Sequence, residues 1–233
     1  MFSRVISAAV YGIDAYIVNV ETDVGFGLPT FDMSGALGSK VREAKDRVRV
    51  AIKNSGIELT PQKIVINISP ANMRKEGTIY DLPIAIGILA ANGCFDLKIL
   101  KNVLIIGEVS LDGSINPVKG VLPMVCAAKE AGIDNCIIPK ANIAEGRIIN
   151  NINIYGVETL SQTIEILKNI AVIDGSRKDI KRADVKSCEC NKSDGNISND
   201  TYTVLERSRV KFTYGSEVKN NNHSCSYNID YSD

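Results

Sequence analysis

The segment GEVSLDGSINPVKGVLPMVCAAKEAG, residues 107–132, decides the fold because one short run contains a strand, a turn, a loop and a helix. Its first residues alternate between apolar and polar, as in a strand. Asp112-Gly113 is a turn dipeptide, and Pro117 precedes an apolar stretch with helical spacing from Val121 to Ala131. A strand followed so closely by a helix predicts a layered domain that contains both element types.

The chain before this segment predicts the same kind of alternation. Helical spacing after a loop, GFGLPTFDMSG, indicates an amphipathic helix with Ser39 at its start. A later stretch is apolar on all sides, which indicates a buried helix, and Asp81 stands where a helix cap is expected. The predicted elements are a β-hairpin at 4–24, a helix at 39–55, a strand at 63–70, a helix at 81–93 and a strand at 102–111 that runs into the 107–132 segment.

Beyond residue 132 the pattern continues with the strands NCIIP and INIYGV and the helix TLSQTIEILKN. We therefore expect one domain over residues 1–170, built from mixed α/β layers. Residues 171–233 are polar and rich in turn formers, although TYTVLERSRVKFTYGSEV has some strand character. This composition predicts that the segment is a polar linker and forms a poorly ordered C-terminal tail, and that it is not a second domain.

Composition excludes several classes of protein. Lys+Arg and Asp+Glu both number 27, so the chain has no net basic charge of the kind that dedicated nucleic-acid binders carry. The sequence contains neither an apolar run long enough to span a membrane nor a secretion signal, and we expect a cytoplasmic protein. Three of the six cysteines, Cys94, Cys126 and Cys136, fall in apolar segments and are predicted to be small core residues.

Three ordered motifs point to a known family. They are YGIDAYIVNVETD at 11–23 with GLPTFDMSGA after it, RKEGTIYDLPIAIGILAA at 74–91, and the opening segment at 107–123. Together they resemble the amino-terminal domain of the magnesium-chelatase-like AAA+ ATPases of the ComM/YifB family, and they are similar to Lon-type proteolytic domains. The resemblance implies an α+β, Lon proteolytic-domain-like fold, a ribosomal-protein-type β-α-β arrangement in two layers.

The resemblance also implies a role. Family members continue into an AAA+ module and are associated, as hexameric rings, with ATP-driven DNA branch migration in natural transformation. No G-x-x-x-x-G-K-[ST] phosphate loop occurs in these 233 residues, so we expect no ATP hydrolysis and no cofactor in this chain. ATP and Mg²⁺ are expected only for an AAA+ module, toward which 171–233 would lead. The implied partners are further copies of the chain and DNA, with no membrane.

The protease chemistry of Lon requires a serine nucleophile and a lysine base. Matching the Lon pattern places Ile79 at the serine position and Met124 at the lysine position, and neither side chain can exchange a proton. Thr78 could act as a shifted nucleophile, with Lys119 or Lys129 as the base. Two alternatives to a silent interaction domain therefore stay open, a Lon-like peptidase with shifted residues and a stand-alone regulatory fragment.

The first predicted helix and the K-E-G loop offer a surface for DNA. Both segments are rich in basic side chains, which could contact a phosphate backbone. The candidate residues are Arg42, Lys45, Arg49, Arg74 and Lys75. Glu43 and Asp46 interleave with the helical cations, which is also typical of a helix face that simply contacts water.

The polar tail contains a possible zinc site. Its four potential ligands form two close pairs, Cys188 with Cys190 and His223 with Cys225. These are not standard ligand spacings, and free thiols in a linker are the alternative.

Overall fold

The computed structural model describes residues 1–170 and two strands at 210–219 and 222–231. The chain divides into two units, Met1–Asp184 and Val185–Asp233. The strands of the first unit are β1 Phe2–Tyr11, β2 Asp14–Gly25, β3 Phe31–Ser34, β4 Lys63–Ser69, β5 Val103–Ile105, β6 Glu108–Val109, β7 Ile115–Asn116, β8 Asn135–Pro139 and β9 Asn153–Val157. Its helices are α1 Ser39–Asn54, α2 Asp81–Ala91, α3 Val121–Glu130, α4 Ile143–Gly146 and α5 at 160–170.

Seven strands form one sheet in the order β3-β4-β2-β1-β5-β8-β9. The β1–β2 and β2–β4 pairs are antiparallel, and every other neighbouring pair in this sheet is parallel. The prediction of a mixed α/β domain that begins with a hairpin is confirmed. β6 and β7 form a separate two-stranded sheet.

Helices cover both faces of the sheet where β5 and β8 lie. The side chains of β5 alternate, so that Val103 and Ile105 join a core with α1, α2 and α5. Leu104, between them, joins a second core with α3. The expected two-layer arrangement is therefore wrong for this part of the sheet, because a strand that is apolar at every position must be covered on both faces.

Helix α2 is the buried centre of the first core, as its apolar composition predicts, and all eleven of its residues are buried. Gly87 makes this close packing possible. The Ser3 hydroxyl donates a hydrogen bond of 2.7 Å to the Gly87 carbonyl. A Cβ atom on Gly87 would lie 2.6 Å from Oγ1 of Thr22. The helix therefore lies directly against the β1–β2 hairpin.

The predicted helix caps are wrong. Tyr80 occupies the N-cap position of α2, and Asp81 is the first helical residue. Its carboxylate accepts hydrogen bonds from Arg47 on α1, so it stabilises a contact between two helices. Gly38 occupies the N-cap position of α1 in place of Ser39.

Two further differences from the sequence prediction concern strands. The segment that was predicted as a loop after β2 contains β3, whose four residues pair in parallel with β4. The strand predicted from 102 to 111 is broken after Ile105, because the N–H of Gly107 turns to donate to the carbonyl of Ile79.

The second unit contains an antiparallel hairpin. β10 Val210–Lys219 pairs with β11 Asn222–Tyr231 along their full length. The strand character predicted near 201–218 appears in β10, whereas β11 falls in a stretch that was predicted to be polar linker. Of the proposed zinc ligands, Cys188 and Cys190 lie outside the described residues, and His223 and Cys225 are backbone positions on β11.

The cysteines of the first unit have free thiols. Cys136 on β8 is fully buried in the second core, as predicted, and burial raises its pKa to about 12. Cys94 and Cys126 are half-buried. In the part of the chain that the structure describes, no helix has the length and apolar character needed to cross a bilayer.

Candidate functional site

A cleft of about 650 Å³ opens at the C-terminal end of β1. One wall is the end of β1 with the turn that follows, the second is the 76–80 segment before α2, and the third is the loop before α3. The residues that line the cleft are Ala9, Val10, Tyr11, Gly12, Lys40, Arg74, Glu76, Gly77, Thr78, Ile79, Tyr80, Glu108, Pro117, Val118 and Lys119.

The cleft exists because β5 leaves β1 early. β2 pairs with β1 from Phe2 to Tyr11, but on the other side β5 pairs only through Leu104 with Ile6. The chain then turns away, and Ile106 donates its N–H to the carbonyl of Ile137 at 3.1 Å. The edge of β1 beyond Ile6 therefore has no neighbouring strand among the described residues.

Backbone hydrogen bonds hold the second wall in place. Gly107 donates to the carbonyl of Ile79 at 3.1 Å and accepts from the N–H of Leu82 at 3.0 Å. These two bonds fix the 79–82 backbone to the segment that follows β5. The position of Thr78 and Ile79 in the cleft is therefore set by the main chain.

The third wall is held by polar side chains of the segment that follows β8. Asn142 accepts a hydrogen bond from the N–H of Val118 and donates one to its carbonyl, both at 3.0 Å. Glu145 accepts the N–H of Leu122, in the first turn of α3, at 2.9 Å. Gly120 has a positive φ of 78°, and a Cβ atom there would lie 2.7 Å from Cγ2 of Val10.

The two positions that correspond to a serine–lysine dyad are both apolar. Met124 on α3 is fully buried in the second core. Ile79 lines the cleft and packs against both cores. Neither the nucleophile nor the base of a Lon-type mechanism is present at these two positions.

Thr78 has a carboxylate beside it. Its hydroxyl donates a hydrogen bond to Oε2 of Glu108, and Oε1 of Glu108 accepts from Nδ2 of Asn116 at 3.3 Å. Lys119 lines the same cleft, whereas Lys129 is exposed on α3 and is not a lining residue. A carboxylate is a much poorer base toward an aliphatic hydroxyl than the neutral amine of a lysine.

Lys75 is fully buried, which contradicts the prediction that it contacts a phosphate backbone. Its ammonium donates to the carbonyl of Pro70, and its backbone is held by Ala36 and Gly38. Burial lowers the pKa of Lys75 because the charged form loses its hydration.

The other four proposed DNA contacts are exposed. Arg42, Lys45 and Arg49 lie on the outer face of α1. Arg74 is exposed at the cleft and its Nε lies 2.7 Å from Oε1 of Glu76. The structure thus leaves an exposed basic face on α1 and excludes Lys75 from the predicted DNA-binding surface.

Arg47, on the same helix, is engaged by Asp81. Its Nε and Nη2 atoms donate to the two carboxylate oxygens at 2.8 and 2.9 Å. Burial raises the pKa of the Asp81 carboxyl, and the hydrogen bonds from Arg47 oppose that shift. The two residues are 34 positions apart, and no local pattern in the sequence indicates this pair.

Sequence reasoning also missed Tyr80, Glu108 and Lys40 as cleft residues. Tyr80 is almost completely buried, and its hydroxyl has no hydrogen-bond partner among the described residues. Burial raises its pKa. Lys40 comes from the first turn of α1. These residues meet only through tertiary contacts. Two of them lie at motifs that the sequence did show, since Tyr80 follows the K-E-G motif and Glu108 is part of the G-E-V motif.

Comparison with known proteins identifies the family. The family described as "Subunit ChlI of Mg-chelatase" matches residues 20–142, more than half of the chain. The chain belongs to the magnesium-chelatase ChlI family. The match spans β2 to the turn before α4 and therefore includes two walls of the cleft.

Individual relatives agree with this ChlI assignment. Competence protein ComM of Haemophilus influenzae is 37% identical over 163 residues, which cover 70% of the chain and 32% of that protein. Protein YifB of Escherichia coli is 40% identical over 148 residues, 64% of the chain and 29% of that protein. The chain thus spans about a third of the length of these curated relatives.

A protease is also similar. Archaeal Lon protease of Thermococcus kodakarensis is 32% identical over 152 residues, which cover 63% of the chain and 23% of that protease. The resemblance of the sequence motifs to Lon-type domains is therefore supported by a similar Lon protease.

Proposed function

We propose that this chain is a catalytically silent, Lon-like domain of a ComM-type magnesium-chelatase-like ATPase, and that it contributes assembly or DNA and partner contacts to ATP-driven DNA branch migration in the cytoplasm. The observation that carries the proposal is the pair Ile79 and Met124, apolar residues at both dyad positions of a chain in the ChlI family. A domain that keeps the cleft but not its catalytic groups is suited to binding.

ATP and Mg²⁺ are assigned to a separate module of the full-length protein. The chain has no glycine-rich phosphate loop, and among the described residues no group of three or more His, Cys, Asp or Glu could hold a metal ion. These residues do not fit a nucleotide site. The self-association expected in the family, a hexameric ring, belongs to the same proposal.

DNA contact is assigned to the exposed basic face of α1, Arg42, Lys45 and Arg49, with Arg74 beside the cleft. The test is a fluorescence anisotropy titration of the purified chain with single-stranded, duplex and four-way-junction DNA over a salt series, with the mass of the protein measured in parallel. Changing the three α1 residues to Gln should lower duplex affinity and reduce the salt slope by up to about 3.

A matched triple variant at Lys98, Lys101 and Lys129, all exposed and off α1, should leave the slope unchanged. If the α1 variant binds DNA as the wild type does, the DNA part of the proposal is wrong. If the wild-type chain is a monomer that does not bind DNA, the domain acts through another partner.

The Thr78–Glu108 hydrogen bond supports a second candidate, a peptidase with a shifted nucleophile. Hydrolysis of a fluorogenic casein substrate that is lost in Thr78→Val would establish this alternative. We expect no hydrolysis in either protein, because Glu108 is the only polar partner that the structure gives the Thr78 hydroxyl within the described residues.

A further inference from the structure

The free edge of β1 is the starting point for a binding mode. An unpaired strand edge presents alternate N–H and C=O groups that can pair with another extended chain. β1 continues from Ala9 to Tyr11 beside the cleft with β2 on one side and no strand on the other in the described part of the chain. At about 3.3 Å per residue, this edge is about 10 Å long and pairs with three to four residues.

The space beside this edge is sufficient for such a segment. Ligand pockets have volumes of about 300–1,000 Å³, and the cleft measures about 650 Å³. The opposite wall, Gly77 to Ile79, is fixed by the main-chain bond that Gly107 donates to Ile79. Val10, Ile79 and Pro117 provide apolar contacts for alternate side chains of a bound strand.

The charges in the cleft favour an acidic segment. Of its two carboxylates, Glu76 pairs with Arg74 and Glu108 accepts bonds from Thr78 and Asn116. Lys40 and Lys119 are exposed and take part in none of the ion pairs of the described residues. Two unpaired ammonium groups at the mouth of the cleft are complementary to carboxylates on an incoming chain.

We infer that the cleft binds an extended, acidic polypeptide segment of a partner protein by strand addition to the edge of β1. This inference rests on the proposed function, since it names the kind of partner that a non-catalytic interaction domain would hold. Backbone pairing at Ala9–Tyr11 supplies affinity, and Lys40 and Lys119 select carboxylates.

The test uses the full chain, labelled with ¹⁵N, and the blocked pentapeptide acetyl-Glu-Val-Glu-Val-Glu-amide. Titration should shift the backbone amides of Ala9, Val10 and Tyr11 and those of Thr78 and Ile79. The same peptide with an N-methyl group on every residue should not bind, because neither of its edges can then donate the main-chain hydrogen bonds of strand pairing.

Charge variants distinguish binding in the cleft from nonspecific electrostatic attraction between the peptide and the protein. Lys40→Glu and Lys119→Glu should each weaken binding by about three- to fivefold, as expected for an exposed ion pair. Lys129→Glu, on the outer part of α3, is the matched control and should have no effect. The peptide with Lys in place of Glu should bind more weakly than the acidic peptide.

Absence of shifts at Ala9–Tyr11 at millimolar peptide overturns the inference, and so do equal shifts with the N-methylated peptide. If a single-stranded 16-mer oligonucleotide shifts these amides and the peptide does not, the cleft is a nucleic-acid site instead. The recovered peptide is examined by mass spectrometry. Cleavage would contradict the silent domain of the proposed function, whereas an intact peptide that fails to bind contradicts the strand addition alone.

Discussion

Arg47 on α1 and Asp81 at the start of α2 form a two-pronged ion pair, with Nε to Oδ2 at 2.8 Å and Nη2 to Oδ1 at 2.9 Å. The partners are unequal, because the Asp81 side chain is completely buried and that of Arg47 is 24% exposed. Loss of Arg47 leaves a carboxylate without water or a countercharge. Loss of Asp81 leaves a guanidinium that can reach solvent.

The first prediction concerns this asymmetry. Arg47→Met should lower the free energy of unfolding by about 3 kcal/mol, the usual scale for a buried charge that loses its partner. Asp81→Asn should cost about 1–2 kcal/mol, because an amide can keep one hydrogen bond. Urea denaturation measures both changes, with Arg49→Met on the same helix as the exposed control. Equal losses for the two variants would contradict the assignment.

The Arg47→Met variant should also show a distinct pH dependence. Burial raises the pKa of the Asp81 carboxyl above its ordinary value of 3.8, and removal of Arg47 takes away the group that opposes this shift. The folded variant then binds a proton more tightly than the unfolded chain, so its stability falls as the pH rises above that value. The deficit relative to wild type should therefore be larger at pH 7 than at about pH 4.5.

A second prediction tests the close contact of α2 with the hairpin. Gly87→Ala should be destabilising by about 1–3 kcal/mol, although alanine favours helices, because the new methyl would lie 2.6 Å from Oγ1 of Thr22. Adding Thr22→Ala should restore much of this loss in a double-mutant cycle. Gly25→Ala is the control, since a Cβ there meets no atom within 4 Å. A neutral or stabilising Gly87→Ala would show that the helix can move away.

The third prediction concerns the two positions that correspond to the Lon dyad. Met124→Lys introduces an ammonium group into a fully buried apolar position and should cost about 3–5 kcal/mol in thermal or urea unfolding. Met124→Leu, which preserves the volume, should cost less than about 1.5 kcal/mol. The Ile79→Ser, Met124→Lys double variant should show no hydrolysis of casein. A stable double variant with activity would mean that the site still has the geometry of a protease.

A fourth prediction follows from the buried ammonium of Lys75. Desolvation lowers its pKa below the ordinary 10.5, so the unfolded chain binds the proton more tightly than the folded chain. Stability contributed by this group should therefore rise as the pH increases from the lowered pKa toward 10.5. Lys75→Met should remove that rise, as measured by urea denaturation between about pH 7 and 10. Lys63→Met, an exposed control, should retain it.

The elements that the sequence predicted best carry their signal locally. The hairpin alternates along β1 and β2, and the buried helix α2 is apolar on every side. β3 was not predicted, although its four side chains alternate between half-buried and exposed, because so short a run does not stand out from the Gly- and Pro-containing loop around it. The break after Ile105 depends on a distant contact, since Gly107 donates a hydrogen bond to a residue 28 positions earlier.

The site shows the same division. The positions of Ile79 and Met124 could be read from motifs, because each lies at a fixed offset in a recognisable run. The burial of Lys75 could not, since the K-E-G loop is polar and its lysine pairs with the 36–38 segment, between β3 and α1, only in the folded chain. Asp81 was predicted to be a cap because the helix that it begins could be recognised in the sequence, whereas its partner Arg47 on another helix could not.

The contact of Glu145 with the N–H of Leu122 has a consequence for the cooperativity of folding. The first turn of α3 has no acidic residue, and its N-cap position is a glycine, so this carboxylate from α4 complements the positive end of the helix dipole. The first turn of this ten-residue helix is thus hydrogen-bonded to a side chain that lies 23 residues later in the chain. The start of α3, the cleft loop and α4 should open as one unit in hydrogen exchange, so that the third wall of the cleft is either wholly formed or wholly lost.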